Sequence, residues 1–461
     1  MKWSNYNIYF PIEKGKKLLL YNTLSKAILV IDGKSRKLLR KIIVDEKLKK
    51  LDLFKVLEEN GFLIKDEMDE RKVYQVIYNQ MKYDSGVLLT TIMTTYNCNL
   101  NCTFCYQKGI KKDEKELSMN RNTADAIVKF IKKKTSEHGF KELFILWYGG
   151  EPFLNAKVIK YILRELSPWI KITGIHFRNH VWTNGTLITK RLLKDVSGYN
   201  MSFQLSLNGT QEIHDKKMQY KNGQGTFTKI INTAKMLKDH GLQFVIRINV
   251  DKENYGCMES LLDYLRKEVG NQLNIAFYPV LPLIGPAYEH CIYDFAILQK
   301  EELKILPRLW FLALEKGFNL MLPSLETRLA CLHLSADSYV INPLGEVHKC
   351  VTTVAYKEHS KHRIGIISEN GKLSDINQNY LYKWLSIDPL ERDECLRCKF
   401  LPICGGWCPL FFYKDYGYGE DYKSCTALKH ILYSRILFNI QKVYSIDPEP
   451  IITNLINPNH G

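Results

Sequence analysis

One stretch decides how the rest of this chain is interpreted: Thr94-Thr95-Tyr96-Asn97-Cys98-Asn99-Leu100-Asn101-Cys102-Thr103-Phe104-Cys105-Tyr106. Its cysteines have the spacing CxxxCxxC, which supplies three thiolates to a [4Fe-4S] cube and leaves the fourth iron without a protein ligand. An open iron can bind a substrate or cosubstrate directly, whereas a cube with four thiolate ligands only transfers electrons. The alternatives are a zinc site or buried thiols, but zinc normally takes four Cys or His ligands, and the next histidine is His138.

Strand-like runs farther along the chain end in, or contain, polar and glycine-rich motifs. The run 143–147 leads into Tyr148-Gly149-Gly150-Glu151-Pro152, where two glycines allow a close backbone approach. Each such motif is weak alone, but its position after CxxxCxxC is informative. The later motifs are Thr183-Asn184-Gly185, Ser206-Leu207-Asn208-Gly209, and the pair Arg247 and Asn249, which alternation places on one face of a strand.

The order of these motifs resembles the radical S-adenosylmethionine (radical SAM) superfamily. In that family the amino and carboxylate groups of S-adenosylmethionine chelate the open iron, and one electron cleaves the sulfonium to a 5′-deoxyadenosyl radical. Asn208 replaces the family's usual Asp, so we expect an uncharged hydrogen-bonding contact there. The resemblance implies that Cys98, Cys102 and Cys105 hold the catalytic cluster. It also implies cofactor contacts from Tyr106, Gly149, Gly150, Glu151, Pro152, Thr183, Asn184, Ser206, Asn208 and Arg247.

Strand-like and helix-like segments alternate through the middle of the chain. This alternation is typical of a parallel α/β fold, in which active sites lie at the carboxyl ends of the strands. The resemblance implies a partial (β/α)6 radical SAM barrel, which we assign to residues 88–320. Strands are predicted near 88–94, 143–147, 176–182, 201–206, 243–250 and 273–280, and helices near 122–138, 156–167, 188–196, 227–240 and 256–269.

A second set of seven cysteines follows, with Gly345 five residues before the second of them. Their spacing resembles the Cys-rich SPASM extension of radical SAM enzymes, which we assign, with a C-terminal helix, to residues 321–461. Zinc sites and disulfides are the alternatives, and Cys257 and Cys291 are predicted to be buried thiols. The resemblance implies two auxiliary [4Fe-4S] clusters, three clusters in all. One would be fully ligated by Cys395, Cys398, Cys404 and Cys425, and the other, with an iron open or otherwise ligated, held by Cys331, Cys350 and Cys408.

Residues 1–87 are predicted to form a unit of their own. Segments 6–10 and 17–21 are expected to pair as a hairpin, followed by two short helices at 35–44 and 51–59 and a strand at 61–65. This order suggests a winged helix-turn-helix, which resembles the unit that binds a leader peptide by β-augmentation in peptide-modifying radical SAM enzymes. DNA binding is less favoured, because the unit has 18 basic and 12 acidic side chains and so a net charge of only 18 − 12 = +6. A structural cap is a third possibility.

Composition narrows the class of protein further. The chain has 461 residues, a formal net charge of +16 and 45% hydrophobic residues, enough for roughly two to four domains with cores. Its lysines are scattered without a compact Arg cluster, so a nucleic-acid partner is not favoured. We see no signal peptide and no apolar run near the ~18 residues that span a bilayer, so we expect a cytoplasmic protein with no membrane partner. Residues 111–116 are expected to form an exposed loop.

The resemblance implies maturation of a ribosomally made precursor peptide, by thioether bonds from cysteine sulfur to carbon, as in sactipeptide and ranthipeptide maturases. The implied partners are the precursor with its leader and an external electron donor such as flavodoxin or ferredoxin. Anaerobic sulfatase maturation is the nearest alternative, but those enzymes place an Asp base after the cysteine that is Cys350 here, where this chain has Val351. Carbon–carbon crosslinking, cyclophane formation and a non-catalytic iron–sulfur protein that binds leaders or senses redox state stay open.

Overall fold

The computed structural model describes residues 1–110, 117–280, 305–322, 324–355, 359–412, 429 and 431–439. Cys291, Cys425 and the predicted loop at 111–116 lie outside the described residues. In the part of the chain that is described, no helix is long and apolar enough to cross a membrane.

The amino-terminal unit combines a small antiparallel sheet with three helices. The predicted hairpin and second helix are confirmed, whereas the winged helix-turn-helix stays a prediction. The first helix ends at Leu39 rather than at 44, because the β-branched run 42–44 disfavours helix. The sheet order is β2-β3-β4, and β1 pairs with β5. The elements are β1 (Lys2–Trp3), β2 (Asn7–Ile12), β3 (Lys17–Asn22), β4 (Ile28–Ile31), α1 (Gly33–Leu39), α2 (Asp52–Glu59), β5 (Leu63–Ile64) and α3 (Glu70–Tyr83).

Six parallel strands in chain order form the centre of the larger sheet, as a partial (β/α)6 barrel requires. The predicted α/β class is therefore confirmed. The strands are β6 (Val87–Met93), β7 (Glu142–Tyr148), β8 (His176–Thr183), β9 (Met201–Ser206), β10 (Phe244–Val250) and β11 (Asn274–Pro279). The helices between them are α4 (Arg121–His138), α5 (Ala156–Thr173), α6 (Lys190–Val196), α7 (Gln211–Lys217), α8 (Phe227–Asp239) and α9 (Met258–Glu268).

Two of these helices differ from the sequence prediction. α5 continues through Pro168, at which the prediction stopped because proline normally ends a helix. α7 was missed, since seven residues are too few for a clear hydrophobic period.

The large sheet extends beyond the barrel at both edges. β12 pairs in parallel with β11, and β13 pairs in parallel with β6, the strand that leads into CxxxCxxC. The later elements are α10 (Ile305–Glu315), β12 (Asn319–Leu320), β13 (Ser338–Ile341), β14 (Glu346–His348), β15 (Gly365–Ile367), β16 (Leu373–Ser374), α11 (Gln378–Leu385), α12 (Asp393–Leu396) and α13 (Leu401–Cys404). Residues 431–439 are helical.

The amino-terminal sheet packs directly on the carboxyl-terminal region. Phe10 on β2 contacts Tyr433, with 4.5 Å between ring centroids. The hydroxyl of Thr23 donates a hydrogen bond to the carbonyl of Lys399 at 2.5 Å. The shared apolar core contains Ile8, Phe10, Ile12, Leu19, Tyr21, Ile403, Leu432, Ile436 and Leu437. The unit is therefore joined to the cysteine-rich segment through a continuous core.

Candidate active site and auxiliary cysteine sites

The two glycines after β7 contact the backbone of the loop that carries CxxxCxxC. Gly150 N–H donates a hydrogen bond to the Thr95 carbonyl at 2.9 Å. Gly149 has φ +137°, and a Cβ on it would lie 2.3 Å from the Thr95 carbonyl oxygen. A Cβ on Gly150 would lie 2.2 Å from the Asn97 carbonyl oxygen. The sequence suggested a close approach to a ligand. In the structure the two glycines lie close to the protein's own backbone at Thr95, which is three residues before the first cysteine, and at Asn97.

A buried ion pair holds the other side of the same loop. Thr103, between the second and third cysteines, donates its N–H to the carbonyl of Lys217 at 3.0 Å. The Lys217 ammonium lies 2.6 Å from Asp251, both side chains are 2% exposed, and Glu253 approaches the same ammonium at 2.9 Å. The sequence interpretation missed this pair because Lys217 and Asp251 are far apart along the chain and belong to no recognised motif. Breaking a buried pair leaves an uncompensated charge, so the contact fixes the loop strongly.

Cys98 is placed for binding to a cation. Burial raises the pKa of its thiol to about 12, so a thiolate there requires positive charge nearby, as a metal cluster supplies. Leu100 N–H and the Asn184 amide direct donors to the Cys98 sulfur at 3.4 and 3.9 Å. A buried sulfur atom that accepts from two donors is better suited to an iron-bound thiolate than to a free thiol.

Glu151 is fully buried and joins two neighbouring loops. Its carboxyl group accepts hydrogen bonds from the Thr183 hydroxyl at 2.7 Å, Asn184 N–H at 2.8 Å and Phe153 N–H at 3.1 Å. Burial raises its pKa to about 7. Pro152 begins the short helical turn that follows. The predicted residues Glu151, Thr183 and Asn184 are thus in one hydrogen-bonded group, and Pro152 is next to it in the chain.

Arg247 and several aromatic rings form a wall at the carboxyl ends of β7, β8, β10 and β11. The guanidinium lies 4.3 Å from the Tyr278 ring centroid and 5.6 Å from that of Trp182. Trp182 meets Tyr148 edge-on at 5.3 Å, and the hydroxyls of Tyr148 and Tyr106 are hydrogen-bonded. Of these residues the sequence identified Tyr106 and Arg247. Tyr148 and Trp182 directly precede two motifs, a position that could have marked them.

Asn208 makes hydrogen bonds to protein groups, and its predicted contact with the cofactor stays a prediction. Its side-chain oxygen accepts from Asn249 N–H at 3.1 Å, and its own N–H donates to His214 Nδ1 at 3.1 Å. It is 1% exposed. Ser206 lies opposite Arg247 in the β9–β10 register, which places the two predicted cofactor residues side by side.

One group of auxiliary cysteines lies beside the barrel site. Cys331, Cys350 and Cys408 pack in an apolar cluster that also includes Tyr106. Burial, and then the neighbouring Cys350, raises the pKa of Cys331 to about 11. Burial raises the pKa of Cys408 further, and both other cysteines contribute. The structure therefore brings together the three cysteines that were predicted to share a cluster.

A second group, Cys395, Cys398 and Cys404, lines one pocket. Cys425, the predicted fourth ligand, lies outside the described residues. Among the described residues no three His, Cys, Asp or Glu side chains are close enough to bind a single metal ion.

Residues 92–265 match the Radical SAM superfamily model. This chain therefore contains a radical SAM domain over these residues. It is 22% identical to the cysteine-type anaerobic sulfatase-maturating enzyme of Clostridium perfringens over 68% of this chain and 85% of that protein. It is also 22% identical to the radical SAM cyclopropyl synthase TigE of Paramaledivibacter caminithermalis, over 86% of this chain and 84% of that protein.

Two solved structures have a similar fold. anSMEcpe with bound AdoMet and Cp18Cys peptide has a TM-score of 0.58 at 19% identity, covering 78% of this chain and 99% of that one. Streptococcus suis SuiB bound to precursor peptide SuiA has a TM-score of 0.50 at 16% identity, covering 91% and 99%.

Replacing Gly150 by Ala should prevent the cysteine loop from closing, because the new Cβ would meet the Asn97 carbonyl. We expect a loss of about four irons per chain and of reductive S-adenosylmethionine cleavage, measured by iron analysis and chromatography. Gly198→Ala is the matched control, since a Cβ there meets no atom within 4 Å. Normal iron content in the Gly150 variant would contradict the close-approach argument.

Glu151 should make the stability of the cluster-free chain depend on pH. Its pKa is raised from 4.5 to about 7 on folding, so its contribution is fully present below pH 4.5 and is lost as pH rises through 7. The total is about 3 kcal/mol. Urea unfolding across this range should show a slope that Glu151→Gln removes and that Gln at the exposed Glu59 does not. An unchanged slope in the Glu151 variant would show that other groups cause it.

Proposed function

We propose that this chain modifies a ribosomally synthesised precursor peptide, forming thioether bonds from cysteine sulfur to carbon. The observation that carries the proposal is the position of Cys331, Cys350 and Cys408, which pack on the same apolar cluster as Tyr106, the residue after the CxxxCxxC loop. Three thiols leave one iron of a cube open to a substrate thiolate. The peptides bound in the anSMEcpe and SuiB structures support a peptide substrate.

The residues of the barrel have separate tasks in this proposal. Cys98, Cys102 and Cys105 would hold the radical SAM cluster, which with S-adenosylmethionine supplies a 5′-deoxyadenosyl radical able to abstract hydrogen from carbon. Arg247 would donate N–H groups to the carboxylate of S-adenosylmethionine. The adjoining aromatic wall would exclude water from the peptide carbon that reacts. Glu151 keeps the loops around the cysteines in place.

The auxiliary cysteines divide the remaining work. Cys331, Cys350 and Cys408 would hold a cluster that supplies a coordination position for the substrate cysteine, which is thereby kept as a thiolate. Cys395, Cys398 and Cys404, with Cys425 as the predicted fourth ligand, would hold a fully ligated cluster suited to electron transfer. The auxiliary clusters would take up the electron that is released when the thiolate sulfur bonds to the carbon radical. Reduced flavodoxin or ferredoxin in the cytoplasm is the proposed electron donor.

Val351 argues against sulfatase maturation. It packs against an apolar cluster that contains Met93, Tyr96 and Val340, with Tyr106 and Tyr148 beside it. The base of the sulfatase-maturing enzymes is expected at this position, and valine cannot accept a proton. A peptide substrate other than a sulfatase is therefore favoured.

Carbon–carbon bond formation is the second candidate. The match to the cyclopropyl synthase TigE spans 86% of this chain, against 68% for the sulfatase-maturating relative. The two candidates differ in the fate of the cysteine sulfur. Mass spectrometry of a coexpressed precursor distinguishes them, since a thioether removes a hydrogen pair and blocks alkylation of the thiol, whereas a carbon–carbon bond leaves the thiol reactive.

Cofactor cleavage and peptide chemistry should separate in cysteine variants. Wild-type chain should contain about twelve irons, from three clusters. Cys102→Ala should abolish 5′-deoxyadenosine formation, because two thiolates cannot hold the catalytic cluster. Cys350→Ala should retain uncoupled cleavage and lose the crosslinked product. A wild-type content near four irons with bound zinc would contradict the auxiliary clusters, and equal loss of both activities in Cys350→Ala would contradict the division of tasks.

The amino-terminal unit is proposed to bind the leader at strand β4. This strand is the last in the described sheet, and its side chain Val30 is 38% exposed. Asn22 N–H bonds to the Ala27 carbonyl, so alternation along the ladder directs the N–H groups of Ile28 and Val30 to the free edge. The next helix, α1, and the two residues after it present five exposed basic side chains, which favour an acidic leader: Lys34, Arg36 and Lys37 on the helix, then Arg40 and Lys41.

Val30→Pro should weaken leader binding about tenfold, since one outward N–H is removed. Proline is tolerated on an edge strand, so the fold should persist. Val30→Thr keeps the donor and is the matched control. Affinity for a fluorescent leader peptide and crosslinking rate would be measured beside S-adenosylmethionine cleavage, which should stay normal in both variants. Unchanged affinity in Val30→Pro would place the leader elsewhere.

A further inference from the structure

The hydroxyls of Tyr6 and Tyr74 are among the buried tyrosine hydroxyls without a hydrogen-bond partner in the described residues. Tyr6 is 2% exposed and Tyr74 is fully buried, and neither hydroxyl oxygen has a donor or acceptor within reach. An unpaired buried hydroxyl is unfavourable, and in native proteins such a group often marks a ligand or ion that completes the site.

Both tyrosines lie against the second group of auxiliary cysteines. They share a core cluster with Cys395 and Leu401, and Cys398 packs on that cluster. Burial raises the pKa of both phenols, with a contribution from Cys398 at Tyr6 and from Cys404 at Tyr74. The two phenol side chains therefore share a dry core with Cys395 and Cys398.

The neighbouring tyrosine behaves differently. Tyr78 lies one turn farther along α3, with its ring centroid 5.8 Å from that of Tyr74. Its hydroxyl donates to the carbonyl of Ile387 at 3.4 Å. Tyr78 thus provides a matched comparison in the same cluster, with a hydroxyl that is already satisfied.

We propose that the hydroxyls of Tyr6 and Tyr74 donate hydrogen bonds to the thiolates of Cys398 and Cys404 when these cysteines hold an iron–sulfur cluster. The inference rests on the proposed function, which supplies that cluster. A thiolate bound to iron accepts O–H donors, and among the described residues neither hydroxyl has an acceptor that such a thiolate would have to replace. Tyr6 and Tyr74 are then positioning residues for the cluster ligands.

The hydrogen bonds have a definite consequence for the reduction potential. Reduction adds negative charge to a cluster, and donors to its sulfur atoms stabilise the reduced form, so they raise the potential. Both tyrosines belong to the amino-terminal unit, one before β2 and one on α3. The unit proposed to bind the leader thus also sets the potential of a cluster.

The test uses the full chain with Cys98, Cys102 and Cys105 replaced by Ala, so that only the auxiliary clusters are loaded. Tyr6→Phe, Tyr74→Phe and the double variant would be titrated reductively and followed by electron paramagnetic resonance. We expect one of the two auxiliary potentials to become more negative, most in the double variant, with iron content unchanged at about eight per chain. Tyr78→Phe should leave both potentials unmoved.

A second measurement covers variants that lose iron. Pulsed electron paramagnetic resonance would be recorded in deuterated water on the reduced chain in which only Cys98, Cys102 and Cys105 are replaced. Exchangeable deuterons coupled to the cluster are expected, and their absence would overturn the inference. Unmoved potentials in the double variant, or an equal shift in Tyr78→Phe, would overturn it as well. A wild-type content near four irons would contradict the auxiliary clusters themselves, whereas full iron with unmoved potentials would contradict this inference alone.

Discussion

The residue on which the site depends is Glu151, because three loops meet at it. Its N–H bonds to the Asn97 carbonyl in the loop after β6, and its carboxyl group accepts from Thr183 and Asn184 in the loop after β8. Adjacent parallel strands bring these loops to one edge of the sheet. The buried carboxyl group of Glu151, with its several donors, holds the three loops at fixed distances from one another. The position of the cysteine loop is thereby fixed as well.

The two groups of auxiliary cysteines have different surroundings, which suits different tasks. Cys350 follows Lys349, whose buried ammonium donates to the carbonyls of Ser335, Ala336 and Ser338. Burial lowers the pKa of Lys349 to about 7. The turn after Cys331 and the segment before Cys350 are therefore tied together from inside. Cys398, by contrast, packs against aromatic side chains of the amino-terminal unit.

The barrel was predictable because its strands are continuous apolar runs between helical patterns, and each motif follows one of them. The two groups of cysteines were implied by the resemblance to the SPASM extension, and their role as cluster ligands stays a prediction. The ion pair of Lys217 and Asp251 was not predictable, since its partners meet only after two loops fold. Strand β4 was missed because four residues give too short a pattern. A sequence also shows that a glycine is needed but not what approaches it: the backbone of Thr95 and Asn97 approaches Gly149 and Gly150, and their contact with the cofactor stays a prediction.

The shared core between the amino-terminal sheet and helix α13 bears on how such enzymes can be recombined. Leader-recognition units are attractive parts to exchange between maturases, because substrate choice would then move with them. Here one face of that sheet is buried on Ile403 and on the helix at 431–439. A chimera joined at residue 87 would expose this face unless the donor sequence matched it. A working chimera should therefore take the amino-terminal sheet and the cysteine-rich segment from the same protein.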